Sequence, residues 1–206
     1  STFAESLRIL RRYAQVFFVP GNHEAWLSPR DDKITSSLEK LDRIYKLCRD
    51  YGVYVDPVYI EYKKKNHLWI LPLESWYDGS LTFNERLCEG FEHWPWVDFA
   101  RCKWPFPIGD TQSRNPRIPI GLVEYFLKRN EAEILEPWLR DRESNDAVMT
   151  VSHFAPNQQC LPDWKDVNSN TFRDEWLDHG AGTMSAKFAK VAGSTLLDRQ
   201  LRSLST

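Results

Sequence analysis

Val16-Phe17-Phe18-Val19-Pro20-Gly21-Asn22-His23-Glu24 is the stretch on which the reading of this chain turns. A run of β-favouring apolar residues ends at a proline and a glycine, and three side chains capable of metal or proton chemistry follow at once. In α/β folds a buried strand hands its next loop to the carboxyl edge of a sheet, where ligands collect. Gly21 allows a sharp turn and a close backbone approach. Asn22 can offer a neutral amide oxygen to a cation, and His23 can ligate a metal or move a proton near neutral pH.

A second stretch repeats the pattern. Val148-Met149-Thr150-Val151-Ser152-His153 is again an apolar strand ending in a histidine, with Phe154-Ala155-Pro156 turning the chain away. Gly-Asn-His-Glu behind a strand resembles the third signature of the calcineurin-like metallophosphoesterases, whose full set reads D-x-H, G-D-x-x-D, G-N-H-[DE], a lone His, then G-H-x-H. His153 stands where the lone His would. No D-x-H, G-D-x-x-D or G-H-x-H occurs between Ser1 and Thr206, and Gly109-Asp110 is followed by Thr111-Gln112-Ser113. The chain begins at Ser1 on a helical pattern and stops after an apolar helical stretch, so it is read as an internal segment of a longer enzyme.

The resemblance implies an α/β layered sandwich of two mixed sheets flanked by helices, incomplete at both ends. It also implies metal-dependent phosphoester hydrolysis at a dinuclear centre holding two divalent or trivalent ions (Mn, Fe or Zn) in the complete enzyme. Asn22 and His153 would help hold the second metal. His23 would act on the leaving group as a hydrogen-bond or proton donor, with Glu24 orienting it. The isolated segment, with two ligands, would be metal-poor and inactive. His23-Glu24-Ala25-Trp26-Leu27 begins like the H-E-x-x-H zinc helix but has Leu27 where the second His is required.

At 206 residues the length suggests one domain, 1–206, with an insertion at about 73–120. Twenty-seven basic against 29 acidic residues give a net charge of −2, which argues against a nucleic-acid or membrane-surface field. Cys48, Cys88, Cys102 and Cys160 are far apart and form no C-x-x-C pair, which fits a reducing, cytoplasmic compartment. No apolar run approaches a membrane span, and no N-x-[ST] sequon is present.

Along the chain, Phe3, Leu7, Leu10 and Tyr13 predict an amphipathic helix, and Gln15 to Val19 a strand. Ser36-x-x-Glu39 predicts a capping box for a helix with Leu38, Leu41, Ile44, Tyr45 and Cys48 inside, ending near Gly52. With a short strand at Val53 to Val55 this makes a βαβ-like crossover. Val58 to Tyr62 and His67 to Leu71 predict a hairpin around a lysine-rich turn, with His67 paired locally. Beyond Pro72 periodicity weakens until about Gly121. Five of the nine tryptophans (Trp69, Trp76, Trp94, Trp96 and Trp104) fall in or near that stretch. By analogy with the suspected family, Trp76, Tyr77 and Asp78 could border the substrate, whereas Trp94, Trp96 and Trp104 read as a satellite core. Gly121 to Glu136 predicts a helix interrupted at Pro137 and resuming to Arg140, Ala147 to Ser152 a strand, and Ser194 the cap of a last helix.

Two other function classes stay open, the second of them against the acidic balance of the chain. A non-catalytic relative could use exposed aromatics for protein binding, and a nucleic-acid enzyme or binder of the same fold could stack bases on them. The phosphoester substrate itself is not specified by the sequence.

Overall fold

The computed structural model describes residues 2–29, 31, 33–63, 66–81, 96–105, 121–160 and 188–204. Trp94, His93, most of the 73–120 insertion and the Trp164 to His179 stretch lie outside the described residues. Two compact units are present: residues 1–74, 97–106 and 128–153 form the first, and 75–96, 107–127 and 154–206 the second.

The first unit is α/β. Helix α1 (Thr2–Leu10) leads to a turn, and Phe17 then pairs with Tyr54 in a parallel bridge. The expected strand at Gln15 to Val19 is thus reduced to a bridge: Phe18 N–H donates to Tyr54 O and Tyr54 N–H to Val16 O, both at 2.9 Å. Between them runs α3 (Ser37–Asp50), after the one-turn α2 (Asn22–Ala25). Ser36 Oγ accepts the Glu39 N–H at 3.2 Å, as the capping box requires. The reciprocal bond is displaced by one residue, because Glu39 Oε2 accepts the Thr35 N–H and hydroxyl, each at 2.8 Å. Those donors hold the Glu39 carboxyl down at about 2. Leu38, Leu41, Tyr45 and Cys48 are buried as the pattern requires, and the helix closes at Gly52 with φ +70°.

The α1 stripe is different. Leu7 is buried, but Leu10 and Tyr13 are 52% and 84% exposed. Periodicity identified the apolar face; among the described residues little covers it.

The sheet is three-stranded and mixed, in the order β1 (Val58–Lys63), β2 (Asn66–Pro72), β3 (Ala147–Val151). β1 and β2 are the expected hairpin, and β2 runs parallel to β3 with Leu68 opposite Ala147 and Pro72 opposite Val151. Of the three expected sheet strands, His67 to Leu71 is therefore present within β2, and Ala147 to Ser152 is present but ends one residue early, at Val151. Their parallel pairing puts Leu73 and His153 beyond the same carboxyl edge.

At the other edge, Asp146 fastens the register. Its Oδ2 accepts the Trp69 indole N–H at 2.9 Å and the Glu143 N–H at 2.8 Å, and Oδ1 lies 3.0 Å from His67 Nδ1. Those donors, led by the Glu143 backbone, hold Asp146 below the usual carboxylate range.

Short helices complete this unit. α4 (Val97–Arg101) is tied to the α2–α3 region: Leu27 N–H donates to Arg101 O, and Ser37 and Lys103 exchange two bonds. Of helix α5 (Leu122–Arg129) this unit holds the last two residues, Lys128 and Arg129, and the helix widens there into a π-helical turn over Asn130–Leu135 before α6 (Glu136–Asp141). Pro137 has no N–H to give four residues back, and its ring crowds that carbonyl. The wide turn accommodates it, with Glu136 N–H reaching Glu131 O five residues back. Asn130, buried, clips this turn to the end of β2 through the Glu74 N–H and O at 2.9 and 2.8 Å.

Glu74 is also buried against charge. Tyr45 Oη donates to its Oε1 at 2.8 Å and Arg129 Nε lies 3.1 Å from Oε2. Burial pushes Glu74 up to about 7, with Arg129 and Tyr45 opposing the rise. A carboxyl raised in this way binds a proton on folding between its unfolded and folded values. Stability therefore falls as pH climbs from about 4.5 to about 7, by up to about 1.4 kcal/mol for each step of one in pH, and levels off above. Glu74→Gln is expected to remove that slope, so that its melting temperature gains on the parent between about pH 5 and 7.5. Parallel curves for the two proteins would show that Glu74 is not the titrating group.

The second unit packs an aromatic core. Trp76 stacks on Tyr77 at 5.1 Å, and Phe154 meets both ring edges at 5.2 Å. Asp78, exposed, accepts from Ser194 Oγ at 2.6 Å and from the Ser80 N–H at 3.0 Å. Ser194 caps α7 (Thr195–Ser203) as expected, accepting the Leu196 N–H at 3.1 Å. Ala155 and Gly193 are bridged so closely that a Cβ on Gly193 would lie 1.8 Å from Ala155 O. Among the described residues no helix is long and apolar enough to cross a membrane.

Candidate active site

Strand-end geometry brings the two sequence motifs together in the first unit. The His153 ring lies on the α-carbon of Gly21: a Cβ built there would sit 2.5 Å from Cε1, 2.7 Å from Nε2 and 2.8 Å from Nδ1. Gly21 has φ −100° and ψ −171°, an extended conformation open to any residue. It is glycine here to admit a ring, not to make a turn.

From Gly21 the chain enters α2, and the Glu24 carboxylate reaches back to accept the Gly21 N–H at 2.8 Å. Glu24, expected to orient His23, is thus bonded to the backbone of its own turn. The His23 ring is exposed and stacks on Trp26, centroids 3.9 Å apart. Loss of water at the face against Gly21 lowers the His153 pKa, assisted by His23 and opposed by the Glu24 and Asp98 charges. The neutral imidazole so favoured is the form that binds metal.

Asn22 is half-buried, with its Nδ2 3.0 and 3.2 Å from the two carboxylate oxygens of Asp98. Asp98 Oδ1 also accepts the Trp26 indole N–H at 2.5 Å. Sequence reasoning missed Asp98 and Trp26. The signal available was an acidic residue between Val97 and Phe99 in a stretch without period, a pattern that names no partner 76 residues away.

Trp76 and Tyr77, expected to border the substrate, are 3% and 1% exposed within the second unit's core. Asp78 is exposed and holds the Ser194 cap. Trp104, expected in a satellite core, is buried, and the Trp96 ring meets Phe188 edge-on at 5.5 Å.

The donors fit part of a metal site. An amide oxygen on Asn22 and a neutral imidazole on His153 suit a borderline cation, while the Glu24 and Asp98 carboxylates are occupied by N–H donors. Elsewhere among the described residues, His67, Glu143 and Asp146 place ligand atoms within 4.8 Å of one another. They lie at the amino ends of β2 and β3, and both Asp146 oxygens already serve the sheet register.

No curated protein matches the chain. Among solved structures it resembles the phosphopantetheinyl hydrolase PptH of Mycobacterium tuberculosis, with a TM-score of 0.62 at 19% identity, covering 97% of this chain. The chain spans 63% of that structure's length. A family model described as calcineurin-like phosphoesterase matches residues 1–180. With Gly21-Asn22-His23-Glu24 at one strand end and His153 seated on it, the chain belongs to the calcineurin-like phosphoesterase family.

Proposed function

We propose that this chain supplies part of a dinuclear metal centre that hydrolyses a phosphoester. The observation that supports this reading most directly is the His153 ring seated on Gly21. It sets an imidazole against the residue that directly precedes Asn22 in the chain.

Asn22 Oδ1 and the His153 imidazole are the ligands this chain contributes to one ion. Bound metal would activate water and neutralise charge on the phosphoryl oxygens. His23, exposed and held flat by Trp26, hands a proton to the oxygen of the departing group as its bond to phosphorus breaks. Glu24 shapes the turn by fixing the Gly21 N–H, which aims His23 indirectly.

The bridging carboxylate and the remaining imidazoles belong to the three signatures that residues 1–206 do not contain, in one phosphoesterase domain with a second sheet. The substrate class is a phosphoester. The compartment is reducing, in keeping with free thiols at Cys48, Cys102 and Cys160.

Metal content tests the ligand pair. In the full-length protein His153→Ala and Asn22→Ala are each expected to lower metal occupancy measured by elemental analysis. Residues 1–206 alone should carry well under one equivalent of Mn, Fe or Zn and show no hydrolysis of nitrophenyl phosphates. Two tightly held metals per isolated chain, with turnover, would overturn the placement of the missing ligands.

A further inference from the structure

We infer that Asp98 is a positioning residue that fixes which end of the Asn22 carboxamide faces the metal, an inference that rests on the ligand reading above. The amide of an asparagine has two ends of nearly equal shape, and only one of them can ligate a cation. Here the NH₂ end of Asn22 meets Asp98, donating to both carboxyl oxygens. Nδ2 lies 3.0 and 3.2 Å from the two Asp98 oxygens, which leaves Oδ1 at the other end of the carboxamide, turned away from Asp98.

Without that partner the amide could turn over at little cost and present hydrogens where a cation needs a lone pair. Asp98 is 1% exposed, an expensive position for a carboxylate, and its charge is met by donors from Asn22 and Trp26. Its own place is fixed by the residues that follow it. α4 is tied to the α2–α3 region by the Leu27 N–H to Arg101 O bond at 2.8 Å and by the Ser37 and Lys103 pair at 2.7 and 2.9 Å. A segment outside both motifs thus reaches into the site through one side chain. Partners that orient a ligand in this way commonly change metal affinity by about 10- to 100-fold when removed.

The test uses Mn²⁺ binding to the full-length protein, followed by electron paramagnetic resonance, together with the side-chain amide resonances of Asn22 in the metal-free state. Asp98→Ala is expected to weaken Mn²⁺ by about 10- to 100-fold and to move the Asn22 amide protons towards the positions of a solvated amide. Trp26→Phe removes the other donor to Asp98 but leaves the Asn22 bond, so it should keep Mn²⁺ affinity within about 3-fold even where it lowers the melting temperature. If Asp98→Ala does not fold, the isosteric Asp98→Asn takes its place, with a smaller loss and a smaller amide shift in the same direction expected, since one acceptor oxygen remains.

Equal losses in Trp26→Phe and Asp98→Ala would make Asp98 a structural anchor and overturn the inference. So would unchanged affinity in the Asp98 variant while Asn22→Ala loses metal, with the ligand pair left standing. Unchanged affinity in Asn22→Ala would overturn the ligand reading itself, and the positioning with it.

Discussion

Alanine at position 21 is expected to weaken metal binding by the full-length protein by about 10- to 100-fold while leaving its melting temperature within ~2 °C of the parent. The new methyl would lie 2.5 to 2.8 Å from three atoms of the His153 ring, whereas carbon contacts settle at about 3.5 to 4 Å. One of the two groups must move. The Gly21 backbone is pinned by the Glu24 carboxylate, and its φ of −100° suits alanine, so no strain arises there. The His153 side chain is exposed at its outer edge and can swing into water. The ring leaves, the fold stays, and a ligand is lost. Isothermal titration with Mn²⁺ alongside a thermal melt would check this. Unchanged affinity would mean that the ring position seen on Gly21 is not the one that binds metal.

Removal of His23 should act on chemistry and spare binding. His23→Ala is expected to cut turnover by ~10² to 10⁴ with metal content unchanged, the usual range for a lost general acid. The loss should shrink for nitrophenyl esters, whose leaving oxygen needs little protonation, and be largest for alkyl esters. Trp26 stacks on the ring and leaves it exposed, as a proton donor to an incoming substrate requires. Equal losses across leaving groups would assign His23 to substrate binding or to the turn.

The hairpin and the motif strand were legible because alternation and polar turns are local signals, and β1, β2 and β3 fall where the pattern puts them. Their ends were legible as chemistry because Gly21 to Glu24 and His153 each follow such a run. Cover was not legible. Leu10 and Tyr13 have the spacing of a buried stripe and are exposed, since periodicity states which face is apolar and nothing about what lies against it. The Gln15 to Val19 strand shrank to a bridge for a related reason: β propensity needs a partner ladder to be expressed, and among the described residues the partner is Tyr54. Asp98 was hidden because its meaning is a pairing across 76 residues, in a stretch with no period to mark its burial.

The wide turn before Pro137 makes this part of the chain sensitive to residue count as well as to residue type. Each residue in an α-helix advances the side-chain direction by about 100°, and the π-helical turn holds one residue more than an ordinary turn would. The wide turn takes up that surplus, and after it Trp138 is 2% exposed and Leu139 is 41% exposed. Loss of a single residue within Asn130–Leu135 would return an ordinary turn that keeps the direction of Trp138 but sets the Pro137 ring against the carbonyl four residues back. Related chains with a proline here are therefore constrained in spacing between the residue that clips the end of β2 and the tryptophan that follows, whichever side chains lie between.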